Sequence, residues 1–248
     1  MDSAILSICV TLRGLLSSVI LVFPPFRMFR VLACALLQLA GVASFAWAMH
    51  YQMYRIDLPE KLAPNRAKFG GVWKYLTFLN MVLQCIFFII AFLANFSKKF
   101  VKTRDVMFAS AAFPIGIFVA VIFWGLYFVD RKLIFPKELD AFFPAILNHC
   151  MHSTVVPLQL GQMLLVRHRY PTRRTGAALT AILCLAYLVW INYIYYATGH
   201  WVYPVFRVLS PLARGAFMLF CSLMGGGLYL AGEAANTVVW GARQTKRE

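Results

Sequence analysis

The sequence has few charged residues, and acidic ones are the scarcest. Only 13% of its 248 residues are charged, with nine Asp and Glu against 24 Lys and Arg, whereas 61% are hydrophobic. In a soluble domain about a quarter of the residues are charged, so this composition excludes a soluble protein. The six cysteines all lie in apolar stretches and none forms a C-x-x-C pair, so they indicate neither zinc nor a disulfide framework. His149 and His152, three residues apart, could supply two metal ligands, but no carboxylate or third histidine lies near them in sequence. We therefore expect no metal and no other cofactor.

The chain also lacks a Gly- or Ser-rich linker and any internal repeat. Without a linker, one membrane domain over residues 31–232 is the economical interpretation, preceded by residues 1–30 and followed by a tail at 233–248. The missing repeat disfavours a transporter built from two related halves. A net charge of +15 does not by itself indicate nucleic acid, and we expect no such partner.

Long uncharged runs replace the missing charge. Six of them occur, at Val31–Met49, Tyr75–Asn95, Val106–Val129, Ala141–Val166, Thr175–Gly199 and Gly215–Gly232. Each is close to the roughly 20 residues that a helix needs to cross the hydrocarbon core. The pattern predicts an all-α polytopic membrane protein, with six transmembrane helices in a bundle.

The orientation of this bundle follows from its basic residues. Fourteen Lys and Arg fall in the N-terminal segment, the second and fourth connections and the tail, against ten in the other connections. Positive charge marks the cytoplasmic side, so both termini are predicted to be cytoplasmic. The endoplasmic reticulum and the plasma membrane both fit these segments.

Residues 4–23 form a further apolar run, interrupted by Arg13 and closed by Pro24-Pro25. It fits a seventh span, a signal anchor or an interfacial helix. The interior arginine and the short length favour the interfacial interpretation.

Polar residues in two of the runs form stripes. In the fourth run they lie within about 140° of one another on a helix and are Asn148, His149, His152, Gln159 and Gln162. In the second run they lie within about 60° and are Thr77, Asn80 and Gln84. Ionisable groups inside a span are costly and are therefore candidates for function. We predict that the two stripes face each other, either around a site or as hydrogen-bonding contacts between helices.

The stripes contain a hydroxyl, Thr77, and an imidazole, His152. These two groups are the smallest set that can act as a nucleophile with its general base. Their depths conflict, however. Thr77 is three residues past Lys74 and His152 is twelve past Asp140, a difference of about 13 Å at 1.5 Å per residue. Contact requires that the fourth helix start above the membrane or that Lys74 dip inward.

Several motifs carry a resemblance to a known family. They are FGGVWKYLTFLN (69–80), AFPIGIFVAVIFW (112–124), DRKLIFPKELD (130–140), LNHCMHST (147–154), RYPTRR (169–174) and TGHWVYP (198–204). Over residues 30–235 the chain closely resembles the androgen-induced protein family, which includes the androgen-dependent TFPI-regulating protein. The resemblance implies six spans with cytoplasmic termini, and an activity, since members are membrane-embedded threonine hydrolases of fatty acid esters of hydroxy fatty acids.

The resemblance also implies residue roles. The family nucleophile is the threonine of W-K-[FY]-[LM]-T, here Thr77, and its essential histidine is the second of N-H-x-M-H, here His152. We assign His149, the first histidine of that motif, a structural or supporting role.

Three further residues are candidates for substrate contacts. Lys74 is placed to bind a fatty-acid carboxylate near the headgroups. Asn80 and Asn148 are candidate oxyanion donors, as are backbone amides freed near a helix start. The predicted partner is a lipid ester that enters laterally from the bilayer. The alternative is a non-enzymatic lipid-binding regulator or scaffold whose polar stripes only hold the helices together.

Overall fold

The computed structural model describes residues 24–59 and 69–241, in which all regular structure is helical. The helices are α1 (Pro24–Tyr54), α2 (Leu76–Leu93), α3 (Val101–Met107), α4 (Phe113–Asp130), α5 (Ala145–His152), α6 (Val155–Leu165), α7 (Arg173–Thr198), α8 (Val205–Val208) and α9 (Pro211–Trp240). A π-helical turn, Phe108–Ala112, joins α3 to α4 in one rod. The prediction of an all-α polytopic membrane protein is confirmed.

Five segments are long and apolar enough to cross a membrane: Met28–Tyr54, Leu76–Leu93, Lys98–Leu133, Arg173–Thr198 and Pro211–Trp240. Each of the five overlaps one of the predicted spans over most of that span's length. The first helix begins earlier than expected, at Pro24. The proposed interfacial run at 4–23 lies outside the described residues. Six spans and cytoplasmic termini stay predictions.

The fourth predicted span, 141–166, is not one helix. Residues 137–141 form a 3-10 turn, α5 begins only after Pro144, and the helix is interrupted between His152 and Val155. Pro157 explains the break, because proline has no N–H to donate to the carbonyl four residues earlier and its ring clashes there. That carbonyl is Ser153 O, which accepts from Val156 N instead. His152 is therefore the last residue of a short helix.

Pro114 disturbs the rod of α3 and α4 in the same way. Its missing N–H leaves Ser110 O without the usual partner, and the chain widens into the π-helical turn. The hydroxyl of Thr180 on α7 donates to Ser110 O at 2.8 Å, and Gln84 Nε2 on α2 donates to Ala112 O at 2.8 Å. Neighbouring helices thus satisfy the carbonyls, as hydrocarbon surroundings require.

Three connections gather at one end of the bundle, which we call the site end: residues 69–75, 131–144 and 199–210. The first enters α2 through a 3-10 turn, Gly71–Lys74, and Gly70 has a φ of 87° that favours glycine. In the predicted orientation the site end is non-cytoplasmic.

Close packing of α4 against α2 and α6 depends on a missing side chain. A Cβ placed on Gly116 would lie 2.7 Å from both Gln84 Nε2 and Val155 Cγ2, whereas one on Gly125, nine residues later in α4, would meet no atom within 4 Å. The two glycines therefore form a matched pair on one helix.

We predict that Gly116→Ala lowers the thermal midpoint of the purified protein in detergent, because overpacking costs about 1–3 kcal/mol. Gly125→Ala should leave the midpoint unchanged or raise it, since alanine is the better helix former. Equal midpoints for the two variants in a fluorescence melting experiment would contradict the packing described here.

Candidate active site

Thr77 and His152 are in contact despite their different predicted depths. The Thr77 Oγ1 atom lies 3.3 Å from His152 Nε2. The expected depth difference assumed one continuous fourth helix, but α5 begins only at Ala145, seven residues before His152. Lys74 is buried, with 1% of its surface exposed, as the second condition for contact requires. The predicted meeting of the two polar stripes is thus observed, and Gln159 Nε2 also donates to Gln84 Oε1.

Asn148 determines which ring nitrogen of His152 carries the proton. His152 Nδ1 lies 2.9 Å from Asn148 Oδ1 and 3.1 Å from Asn148 O. Both partners are acceptors, so Nδ1 must be the donor, and the neutral ring leaves Nε2 unprotonated. Nε2 therefore accepts from the Thr77 hydroxyl. This is the tautomer that a general base needs.

An aromatic face holds the plane of this imidazole. The ring of Phe123 on α4 stacks on His152 with centroids 3.4 Å apart and planes 6° from parallel. His152 is almost fully buried, while Thr77 is partly exposed to a cavity. The His152 ring is thus held by packing against Phe123 on one side and by Asn148 on another.

Two tyrosines fix the start of α2. The Leu76 N–H donates to Tyr187 OH at 3.0 Å and to Tyr203 OH at 2.8 Å, and Tyr187 OH donates to Lys74 O at 3.1 Å. The hydroxyls lie 2.9 Å apart, so Tyr203 completes the network by donating to Tyr187. This tyrosine clamp, Tyr187 and Tyr203, immobilises the residue before Thr77. Sequence patterns do not predict this clamp, although Tyr203 lies in the TGHWVYP motif.

Thr77 and His152 line a wide cavity. Its volume is about 430 Å³, and it lies at the site end. Polar side chains in its wall include Lys132, Glu138 and Arg207. The pair is therefore within reach of a ligand.

A narrower crevice reaches Thr77 from the apolar side. It has a volume of about 90 Å³, lies between α2, α4, α7 and α9, and is lined almost wholly by hydrocarbon. It shares Thr77, Phe123, Ile134 and Tyr203 with the larger cavity. We call the larger cavity the chamber and the narrower one the crevice. Thr77 thus lies where the wide, partly polar chamber meets the apolar crevice.

The other predicted site residues are placed differently. Lys74 is buried and lies 5.7 Å from the centroid of the Tyr75 ring, and it is not in the wall of the chamber. Asn80 accepts from Gln84 Nε2 within the contact between α2 and α6. His149 is exposed, and its Nδ1 atom lies 3.0 Å from Ser153 Oγ. Of the four candidate supporting residues, Asn148 is the one with an observed hydrogen bond to His152.

The sequence profile of FAR-17a/AIG1-like proteins matches residues 33–237. The chain belongs to this family. The androgen-induced gene 1 protein of Homo sapiens is 37% identical over 201 residues, which cover 75% of this chain and 84% of that protein. The androgen-dependent TFPI-regulating protein of Mus musculus is 44% identical over 182 residues, 70% of this chain and 79% of that protein. A membrane protein of Schizosaccharomyces pombe is 20% identical over 199 residues, 79% of this chain and 86% of that protein.

No solved structure shows a significant match. The family match agrees with the resemblance drawn from the motifs, and it places the chain among membrane proteins. The names of these relatives state no chemistry, so the activity has to be argued from the site.

A second buried histidine lies at the opposite end of the bundle and differs from the first. His168 Nδ1 donates to Asp105 Oδ1 at 3.0 Å, Asp105 also accepts from Arg104, and the His168 ring stacks on Phe108. Its Nε2 faces the side-chain amide of Gln162 at 3.5 Å, and His168 lines neither of the two cavities described above. This cluster joins α3 to the connection before α7 and has a structural role.

We predict that His168 makes the protein acid-labile. Burial lowers the pKa of His168 to about 4, outweighing the neighbouring Asp105 carboxylate, whereas an unfolded histidine titrates near 6.5. The unfolded state then binds the extra proton first, so stability falls as the pH drops from about 6.5 towards 4. His168→Gln should lower the melting temperature at pH 7.5 but flatten its decline between pH 7 and pH 5. A decline as steep as that of the wild type would contradict this assignment.

Proposed function

We propose that this protein is an integral-membrane hydrolase that cleaves the ester bond of fatty acid esters of hydroxy fatty acids. In this proposal Thr77 is the nucleophile and His152 is the general base. The observation that carries it is the 3.3 Å contact between Thr77 Oγ1 and His152 Nε2 at the wall of a cavity. A separation slightly longer than an ideal hydrogen bond is usual for a catalytic pair without substrate.

The first half of the reaction forms an acyl-threonine. His152 Nε2 takes the hydroxyl proton as Thr77 Oγ1 attacks the ester carbonyl carbon, whose oxygen becomes the oxyanion. The tetrahedral intermediate collapses with cleavage of the bond to the alkoxide, which takes the proton from Nε2. The hydroxy fatty acid leaves, and the acyl group of the other fatty acid stays on Thr77.

Water completes the cycle. His152 Nε2 removes a proton from a water molecule as its oxygen attacks the acyl carbon, and the proton then returns to Thr77 Oγ1 as the acyl bond breaks. The second product is a free fatty acid. Asn148 keeps Nδ1 protonated throughout and stabilises the transient imidazolium, as a neutral third member of the group.

The start of α2 supplies oxyanion donors. The first N–H groups of a helix have no partner within the helix. The Leu76 N–H is taken by the tyrosine clamp, but the N–H groups of Thr77 and Phe78 have no acceptor among the residues that the structure describes. They also lie at the positive end of the helix dipole, which favours negative charge. These two amides are better placed for this role than Asn80, which Gln84 engages.

The two cavities suit an ester that joins two long chains. Cleavage needs the carbonyl at Thr77 with one chain on either side. The crevice offers a hydrocarbon surface that fits a plain acyl chain, and the chamber offers room and polar groups for the chain that bears a carboxylate. A single-chain ester would leave one of the two spaces empty.

We predict that Thr77→Ala lowers ester hydrolysis in membranes by about a thousandfold, whereas Thr77→Ser retains most of it, because the nucleophilic oxygen is kept. His152→Ala should be equally inactive. Labelling by a hydroxyl-reactive activity probe should follow the same order. The exposed Thr175, at the other end of the bundle, provides the control, and Thr175→Ala should hydrolyse like the wild type.

Undiminished hydrolysis in Thr77→Ala at matched expression would remove the proposed enzyme. The non-enzymatic lipid-binding regulator or scaffold would then be the better interpretation of the cavities.

We predict that Asn148→Ala lowers kcat about tenfold with little change in KM. The amide oxygen contributes one hydrogen bond that orients the ring, worth about 1–1.5 kcal/mol, and the Asn148 main-chain carbonyl remains as a second acceptor. Asn148→Asp keeps an acceptor oxygen and should restore kcat, which a packing defect would not allow. The exposed Asn192 serves as control, and Asn192→Ala should match the wild type. A change confined to KM would show that Asn148 binds substrate instead.

A further inference from the structure

Four of the basic residues on or beside the connections of the site end fall into two groups. Arg131 and Arg214 are engaged by the protein itself. Arg131 donates to Asp140 at 2.6 Å and to Phe135 O at 3.0 Å. Arg214 donates to Phe206 O at 3.0 Å and to Leu209 O at 2.9 Å. These contacts hold the connections 131–144 and 199–210 in place.

Lys132 and Arg207 are the second group, and each is on a segment that an arginine of the first group holds. Lys132 follows Arg131 in a 3-10 turn capped by Asp130, and Arg207 lies in α8, next to the carbonyl that Arg214 binds. Both side chains are exposed, and both line the chamber that contains Thr77 and His152. Neither has a hydrogen bond or ion pair with any residue that the structure describes.

We propose that Arg207 and Lys132 bind the free carboxylate of the hydroxy-acid chain, which makes them specificity-determining residues. This inference rests on the proposed function and names what selects its substrate class. Two cations from different connections converge on one cavity, with Glu138 as the single acidic group in the described wall, so the rim keeps an excess positive charge. A guanidinium matches a carboxylate with two parallel hydrogen bonds, and a nearby ammonium adds a mobile point charge.

Arg207 and Lys132 are better placed to bind the carboxylate than Lys74, the residue expected from the sequence. From the sequence alone, Lys74 is the candidate to bind the carboxylate near the headgroups. Lys74 is buried and outside the chamber wall, whereas Arg207 and Lys132 are on its rim. A carboxylate held there orients the substrate, since the hydroxy-acid chain then runs through the chamber to Thr77 and the other acyl chain enters the crevice.

The experiment compares two substrates of nearly the same shape, one with an anionic end group and one with a neutral end group. One is a fatty acid ester of a hydroxy fatty acid with its free carboxylate, and the other carries a primary amide in place of that carboxylate. Hydrolysis of both is measured for the wild type, Arg207→Gln, Lys132→Gln and the double variant. Arg174→Gln is the control, because Arg174 is an exposed arginine in the first turn of α7, at the other end of the bundle.

The wild type should prefer the acid over the amide in kcat/KM. The double variant should lose about tenfold of that preference. The loss should appear as a higher KM for the acid with little change in kcat. Hydrolysis of the amide should be unchanged in every variant, which shows that the variants fold. Arg174→Gln should keep the full preference.

An unchanged acid-to-amide ratio in the double variant would overturn the assignment, as would a wild type that hydrolyses both substrates equally well. If hydrolysis is lost in Thr77→Ala while the ratio survives in the double variant, only the carboxylate site fails. If Thr77→Ala hydrolyses both substrates like the wild type, the proposed function fails and the carboxylate site fails with it.

Discussion

The structure depends on one requirement: buried backbone carbonyls must find partners inside the protein, because hydrocarbon offers none. Pro114 and Pro157 each remove an N–H from a helix. At Pro114 the neighbouring helices supply the missing donors, and the rod continues through a π-helical turn. At Pro157 the chain resolves the same problem locally, by ending α5 at His152. The position of His152, the proposed base, is thus a consequence of a missing amide proton five residues later.

Two buried histidines show which features distinguish a base from a structural contact. His152 and His168 both stack on a phenylalanine, at 3.4 and 3.7 Å, and both donate from Nδ1 to an oxygen. Their burial and their tautomers are therefore the same. The difference is at Nε2, which faces a hydroxyl and a cavity wall in His152 but a glutamine amide in His168. Access to an empty volume, rather than burial, separates the two.

Much of this arrangement is contained in local sequence. Scarce charge and long apolar runs are enough to predict an all-helical membrane protein, and the spacing of Thr77, His152 and Gln159 places them on faces that do meet. The depth of each residue is not local. Counting from the nearest charged residues separates Thr77 and His152 by about 13 Å in depth, yet tertiary packing buries Lys74 and brings the two side chains into contact. The break in the helix before Pro157 is likewise not predictable from local sequence, because a proline is equally compatible with a kinked helix and with a broken one.

The tyrosine clamp has a consequence for how the protein is made. Tyr187 and Tyr203 reach Leu76 from positions 111 and 127 residues further along the chain. During synthesis, the proposed reaction centre of Thr77, His152 and Asn148 leaves the ribosome before either tyrosine does. At that stage the turn before Thr77, the proposed nucleophile, lacks the hydrogen bonds of the clamp. A nascent chain that stops before α7 contains every atom of the proposed reaction centre, yet nothing holds the amide of Leu76. Biogenesis of the site is therefore completed from its C-terminal third.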